Sequence, residues 1–332
     1  MPESSVAESS VRESSVTVAN AFVFAPDPLV TVTVEVGQEG DEIHIHAGGQ
    51  GFWVARMISS LGIPVTLCGP FGGETGRVAR GLIESEGIAV QAVATAGDNG
   101  AYIHDRRHGE RAEVARTPPE PLSRHELDDL YSAALVGALE SRVSVLGGPG
   151  PWETPPVPSD AYRRLAADLA ANGRTVVADL SGEALACALE GGVTLLKVSH
   201  EELVDDGRAA AGGDVGSLLE AMDALRREGA ANLLVTRAAD PALALVDGDV
   251  VEVVPPALET VDHRGAGDSM TAGLVAGLAQ GRSFADSLRL GAAAGALNVT
   301  RRGLATGDPQ AIERLSAHIE LRPLPEREEA AG

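Results

Sequence analysis

A three-layer α/β/α sandwich with a mainly parallel central sheet and a small β-sheet lid is the fold this 332-residue sequence predicts. Three observations lead there. Short apolar, β-branched runs alternate with helical stretches along most of the chain, the pattern of a parallel sheet covered on both faces. Two segments break that pattern with a strict period of two, as half-exposed strands do. Apolar residues make up 44% of the chain and charged ones 22%, enough to close a substantial core.

Residues 1–16 repeat an E-S-S-V theme too polar to bury surface and order itself, so they read as a tail. Thr17–Phe24 is the first strand. Leu29–Val36 alternates, turns at Gly37–Asp41 and continues as E-I-H-I-H. Together with the alternating stretch Ala101–Ala115 it predicts an antiparallel lid over about 29–47 and 98–116. Val65–Gly69, Val143–Leu146, Thr175–Asp179, Thr194–Lys197 and Asn232–Thr236 are the further buried strands. Ser123-x-x-Glu126 and Ser283-x-x-Asp286 mark helix starts as capping boxes, each side chain answering an orphan amide. The main domain spans 17–317, and 318–332 reads as a second tail.

The formal net charge of −22 excludes a nucleic-acid partner, since phosphate backbones are bound by clustered Lys and Arg. It also means that any anionic ligand needs a positive field built locally. Lys197 is the sole lysine in the chain. Two cysteines, Cys68 and Cys187, make no disulfide framework and fit a reducing compartment. No apolar run is long enough to span a bilayer and no signal segment is visible, so the expectation is a cytoplasmic protein with no membrane partner. His44 and His46 share one strand face, but no third ligand completes a metal site, and they read as lid or substrate-facing residues.

Chemistry concentrates where Gly265-Ala-Gly-Asp-Ser269 opens a helix of small residues. Glycines there let a ligand approach the backbone, and the free amides of Ala266, Gly267 and Asp268 with the helix dipole form an anion site. A carboxylate beside a phosphate site repels its ligand unless it accepts a proton or positions a metal, so Asp268 reads as a general base for phosphoryl transfer. Asp also caps helices without any chemistry, and the motif alone leaves both readings open.

The motif resembles the G-A-G-D signature of the ribokinase (PfkB) family of carbohydrate kinases. The match continues through Ser283–Gly303. Independently, Ala47-Gly-Gly-Gln-Gly-Phe-Trp53 and the strand after its helix resemble the family's N-terminal glycine signature. The resemblance covers roughly residues 17–317 and leans towards the phosphofructokinase and tagatose-phosphate kinase branch. It implies a ribokinase-like fold, ATP as donor, Mg2+ as cofactor, a small-molecule acceptor and a homodimer through the lid. On the donor side it implies Thr236, Arg237, Ala238, Asn298 and Gly303 at the nucleotide, with Arg264 on a phosphate. Lys197-Val-Ser-His-Glu-Glu-Leu203 is similar to the branch's K-P-N-x-x-E-L pattern, which would put Lys197 at ATP and Glu202 in the metal's water shell. Ser199-x-x-Glu202 equally fits a capping box.

On the acceptor side the resemblance implies Asp27, Gly48, Gly49, Gln50 and Trp53, and here the sequence departs from the branch. Gln50 stands at the lysine position and Trp53 at the asparagine position of G-G-K-G-x-N. Asp27 lies out of register with the aspartate of N-P-x-x-D, and Gly100 falls where a lid arginine meets an acceptor phosphate. Those losses predict a weaker hold on a phosphorylated acceptor, with Arg106, Arg107 and Arg111 read as ordinary residues of a polar lid. On the donor side, Ala238 and Pro241 replace glycines of an S-x-G-x-x-G loop. Three functions follow as expectations: a sugar or sugar-phosphate kinase, a kinase-fold metabolite sensor, and a nucleoside kinase suggested by the face of Trp53.

Overall fold

A computed structural model describes residues 19–324 except 110, 247 and 302; the expected first tail lies outside the described residues. Ten strands form the main sheet. In chain order these are β1 (Ala21–Phe24), β4 (Val65–Gly72), β5 (Ala89–Thr95), β8 (Val143–Gly147), β9 (Thr175–Asp179), β10 (Val193–Ser199), β11 (Ala230–Arg237), β12 (Asp240–Val246), β13 (Asp249–Val254) and β14 (Glu320–Pro323). Their order across the sheet is β14-β13-β12-β11-β10-β9-β8-β1-β4-β5. The seven strands from β11 to β5 run parallel, and the last three are antiparallel. The buried runs read from the sequence fall on these strands. Within the stretch expected as a second tail, 325–332 lie outside the described residues, and Glu320–Pro323 pairs with β13 as an edge strand. Its polar, proline-ended sequence carries no strand signal, and only an edge tolerates proline there.

Helices cover both faces. One is packed by α1 (Gln50–Ser60), α2 (Gly73–Ser85), α8 (Ala266–Ala279), α9 (Phe284–Asn298) and α10 (Pro309–Ser316). The other is packed by α3 (Arg124–Leu139), α4 (Asp160–Ala171), α5 (Gly182–Gly191), α6 (His200–Asp205) and α7 (Val215–Glu228). Ser123 and Glu126 form the reciprocal capping box that starts α3. At α9 only half of it forms, with Ser283 accepting from the Asp286 amide. Helix α8 is buried nearly all round and meets α9 through glycines: a Cβ on Gly273 would lie 2.8 Å from Gly291 Cα. No other residue type permits that approach.

The lid is a separate sheet of β2 (Leu29–Val36), β3 (Asp41–Gly48), β6 (Ala101–Asp105) and β7 (Ala112–Thr117), in the order β3-β2-β6-β7. The expected antiparallel arrangement holds for its two hairpins, but β2 and β6 pair in parallel. Alternation reports which faces are wet and is blind to strand direction. Thr31, Thr33 and His104 are buried towards the body of the molecule, while Ile43, Ile45 and Ile103 are exposed on the opposite face. Among the described residues, no helix is long and apolar enough to cross a membrane.

Candidate active site

Parallel sheets place ligands beyond the carboxyl ends of their strands. Asp179 ends β9, Lys197 and Ser199 end β10, Thr236 lies near the end of β11, and Asp27 follows β1. Helix α8 points its N-terminus at the same region. Gly265, its N-cap, takes φ +70°. The Ala266 amide reaches only His263 O, at 3.4 Å, and the Gly267 and Asp268 amides have no backbone acceptor among the described residues. The Gly267 and Asp268 amides at this helix start are thus free of a backbone acceptor, the arrangement that suits an anion.

Asp268 is half-buried and accepts no hydrogen bond among the described residues. Burial, then the charge of Asp179, pushes its carboxyl up to about 7, against the pull of Lys197. That is a group able to exchange a proton near neutrality. Lys197 forms a buried ion pair with Asp179, Nζ to Oδ1 at 3.0 Å, and Thr271 Oγ1 donates to Asp179 Oδ2 at 2.6 Å. Burial alone would lower the lysine's pKa, but Asp179, Asp268 and Glu202 outweigh it and hold the ammonium charged. A Cβ on Gly267 would come within 3.0 Å of Lys197 Nζ, so the missing side chain is what lets the ammonium sit at the helix start. Asp179 and Thr271 carry no motif, and sequence reasoning missed both.

Of the two readings of Glu202, the structure bears on the capping box. It completes the capping box with Ser199, accepting from the Ser199 amide at 2.7 Å, and it is close enough to act electrostatically on Asp268 and Lys197. Thr236 pairs with Ser199 across the sheet. Arg237 is turned into its own hairpin, donating to Pro241 O at 3.0 Å and lying 3.7 Å from Glu252. Ala238 keeps the glycine conformation of the loop it replaces, with φ +48°. Asn298 was expected at the nucleotide. It is buried and braces the site, donating to Arg264 O at 2.7 Å and accepting from the Ala305 amide at 3.0 Å. Its effect is on the shape of the two loops it joins.

A cleft of about 530 Å³ opens under the lid. Gly48, Gly49 and Trp53, expected on the acceptor side, line it, and so do Gly303 and Arg264, which were expected on the donor side. Gln50 does not line it; its side-chain oxygen accepts from the Gly148 amide at 2.6 Å and shapes the neighbouring loop. Trp53 is no open platform, for His46, Phe52 and Arg56 all lie against its ring. Asp27 sits behind Gly49, where a Cβ would lie 2.5 Å from its carbonyl oxygen. Its Oδ2 accepts from Trp152 Nε1 and the Gly150 amide, while Oδ1 is buried with no hydrogen-bond partner among the described residues, and Asp27 does not line the cleft. Burial pushes this carboxyl up to about 6, against those two donors.

Among the described residues, four arginines line the cleft (Arg56, Arg106, Arg111 and Arg264) with one lining carboxylate, Glu35, and Glu86 lies 3.1 Å from Arg56. Arg264 is held bidentate by Asp262, and Arg106 reaches Glu35 at 3.3 Å and Asp262 at 3.8 Å. Arg111 makes no ion pair among the described residues; it donates to His104 Nδ1 at 3.1 Å. Burial and the like charges of Arg264 and Arg106 press its pKa down. His46 is lowered to about 4, chiefly by burial, so the positive field belongs to the guanidinium groups. Arg107 is turned away onto Asp105 and Asp41. The reading of the lid arginines as ordinary polar residues thus holds for Arg107 and fails for Arg106 and Arg111. Among the described residues no group of three or more His, Cys, Asp or Glu could hold a metal ion.

Comparison with known proteins shows the family and the fold. The model of the pfkB family carbohydrate kinases matches residues 18–311. A 1-phosphofructokinase of Escherichia coli is 28% identical over 285 residues, 84% of this chain and 88% of that protein. The ATP-dependent 6-phosphofructokinase isozyme 2 of Escherichia coli is 29% identical over 287 residues, 82% and 87% of the two chains. The tetrameric inhibited form of phosphofructokinase-2 from Escherichia coli superimposes with a TM-score of 0.76 at 23% identity, over 90% of this chain and 98% of the other.

Proposed function

The chain belongs to the pfkB family of carbohydrate kinases, and on that premise we propose that it transfers the terminal phosphoryl group of ATP to a hydroxyl of a sugar already carrying an anionic group, most simply a sugar phosphate. The observation that carries the acceptor class is the cluster of Arg56, Arg106, Arg111 and Arg264 in a chain of net charge −22. Arg56, Arg106 and Arg264 are each held by a carboxylate (Glu86, Glu35 and Asp262), while Arg111 makes no ion pair among the described residues and lies among like charges. An anion there would relieve that, and guanidinium matches phosphate bidentately. The arginines thus replace the branch's lysine and lid arginine from other positions.

In this reading Asp268 accepts the proton of the attacking hydroxyl. The amides of Ala266, Gly267 and Asp268, with Lys197, meet charge on the transferring group, each gaining strength as water is excluded. Asp27 accepts a sugar hydroxyl on its free Oδ1, and Gly48, Gly49 and Trp53 shape the pocket. The donor-side residues fit ATP: a helix start with free amides, a lone lysine at it, and a β11 loop that keeps its glycine-like bend. Magnesium would be held mainly by the donor's phosphates, with Glu202 reaching it through water, and would neutralise phosphate charge there. The domain assignment is 17–317 extended to Pro323 by its last strand.

We also propose a homodimer through the lid, supported by the exposed apolar face of Val36, Ile43, Ile45 and Ile103. The catalytic reading is tested by ADP release from Mg-ATP over hexoses, pentoses, hexose phosphates and nucleosides, with Asp268→Asn alongside. Turnover confined to sugar phosphates and abolished in the variant is the expected result. Preference for unphosphorylated sugars or nucleosides would overturn the acceptor class, and silence with tight ligand binding would favour a sensor.

A further inference from the structure

Trp152 belongs to no motif and lies in the irregular loop after β8, yet it is almost fully buried. Its Nε1 donates to Asp27 Oδ2. Its ring stacks on Tyr102 of β6, with centroids 5.1 Å apart and planes 18° from parallel. Tyr102 stacks in turn on His104, at 5.4 Å and 20°, and His104 Nδ1 accepts from Arg111. Two glycines make room for the indole. A Cβ on Gly100 would lie 3.0 Å from Trp152 Cζ2, and one on Gly150 would lie 2.7 Å from both Trp152 Nε1 and Asp27 Oδ2. Asp27 is two residues before β2 and Gly100 immediately precedes β6, so both roots of the lid converge on this one side chain.

We propose that Trp152 is a positioning residue for acceptor recognition, holding Asp27 with its N–H so that Oδ1 faces the acceptor, and seating the lid strand that carries Tyr102, His104 and Arg111 with its ring. The inference rests on the reading of Asp27 as the acceptor's hydroxyl-binding carboxylate. A buried carboxylate with one oxygen doubly hydrogen-bonded and the other bare is a half-finished site, and the bare atom needs a donor from outside. The indole supplies what a loop amide alone cannot: a donor fixed in direction by a ring clamped between two strand roots. One contact chain therefore runs from the carboxylate that would read a hydroxyl to the arginine that would read an anion.

The two roles separate by substitution. Trp152→Phe keeps a stackable ring and removes the donor, whereas Tyr102→Leu removes the stack and leaves the donor. The groups hydrogen-bonded to Asp27 are the indole and the Gly150 amide; Tyr102 and Tyr162 feel its charge but make no hydrogen bond to it among the described residues. No fixed cation is among these partners, so losing the N–H raises the Asp27 pKa further.

Steady-state kinetics on the full chain, with fructose 1-phosphate and fructose 6-phosphate as acceptors, test this. Trp152→Phe is expected to raise the acceptor KM about tenfold, leave the ATP KM within about twofold, and move the acid limb of kcat/KM for the acceptor to higher pH. Tyr102→Leu is expected to raise the acceptor KM with the limb unmoved. Should Trp152→Phe fail to fold, Gly150→Ala disturbs the same contact from the loop and is expected to reproduce its effect. Asp27→Asn separates the two levels of the argument. If it impairs acceptor use while Trp152→Phe matches the wild type in KM and limb, the positioning role is overturned and the Asp27 reading stands. If Asp27→Asn leaves the acceptor KM unchanged, or the wild type turns over neither phosphate, the reading beneath the inference falls with it.

Discussion

Lys197, the chain's only lysine, places its ammonium 3.0 Å from the Asp179 carboxylate and beside Gly267 in the first turn of α8. A buried pair broken on one side leaves an uncompensated charge, at a cost of about 3–5 kcal/mol. Asp179→Leu is therefore expected to lower the unfolding midpoint in urea sharply. Asp179→Leu with Lys197→Met should recover much of that stability while turnover stays low. Recovery of activity together with stability would show that the pair is structural only.

Asp268→Asn is expected to reduce kcat by roughly 100- to 10,000-fold, the range of a general base, and to leave ATP binding intact. Because the base works deprotonated and burial holds its pKa near 7, kcat should rise with pH through about 7 and then level off. The stability effect has the opposite sense. The folded pKa stands above the ordinary value of 3.8, so ionising Asp268 costs stability as pH climbs from there through about 7. Thermal melts should show the Asn variant more stable than wild type at pH 8 and equal to it below about 4.

Arg111→Ala should weaken acceptor binding by roughly 10- to 100-fold and reduce its dependence on ionic strength, with the ATP KM unchanged. Arg107→Ala is the control, since that side chain is turned onto Asp105 and Asp41, away from the cleft. Isothermal titration with the sugar phosphate distinguishes them; equal losses would mean a diffuse field in place of a binding site.

On the lid, Ile43→Glu with Ile45→Glu places two carboxylates on the exposed apolar face. Sedimentation should then report a single chain where the wild type sediments as a dimer or larger. A monomeric wild type at micromolar concentration would end the lid-dimer proposal.

How much of this was legible in the sequence depended on whether the signal was local. Gly265–Asp268 announced itself because a helix start, a left-handed glycine and an acid within four residues are all local chemistry. Ser123 with Glu126 and Ser199 with Glu202 formed their boxes for the same reason. The buried strands were visible through their run length, whereas β14 was hidden by the polarity an edge allows. Asp179 and Thr271 are 92 residues apart, and Asp27 and Trp152 are 125 apart. Nothing in their neighbourhoods marks such pairs; only the sheet order brings them together. The arginines of the cleft were visible individually, and their separation into cleft-facing and solvent-facing sets needed the lid's register.

Helices α8 and α9 touch glycine to glycine at Gly273 and Gly291, with less than a methyl group's room between them. In the proposed reading the base is therefore mounted on a part of the molecule that has no slack, while acceptor recognition hangs on two strand roots and one indole. Such an arrangement separates what can vary from what cannot. New acceptors are best sought by exchanging lid strands and the Trp152 loop, because changes there leave the phosphoryl-transfer geometry where it is, and libraries that touch the α8–α9 seam will mostly return unfolded protein.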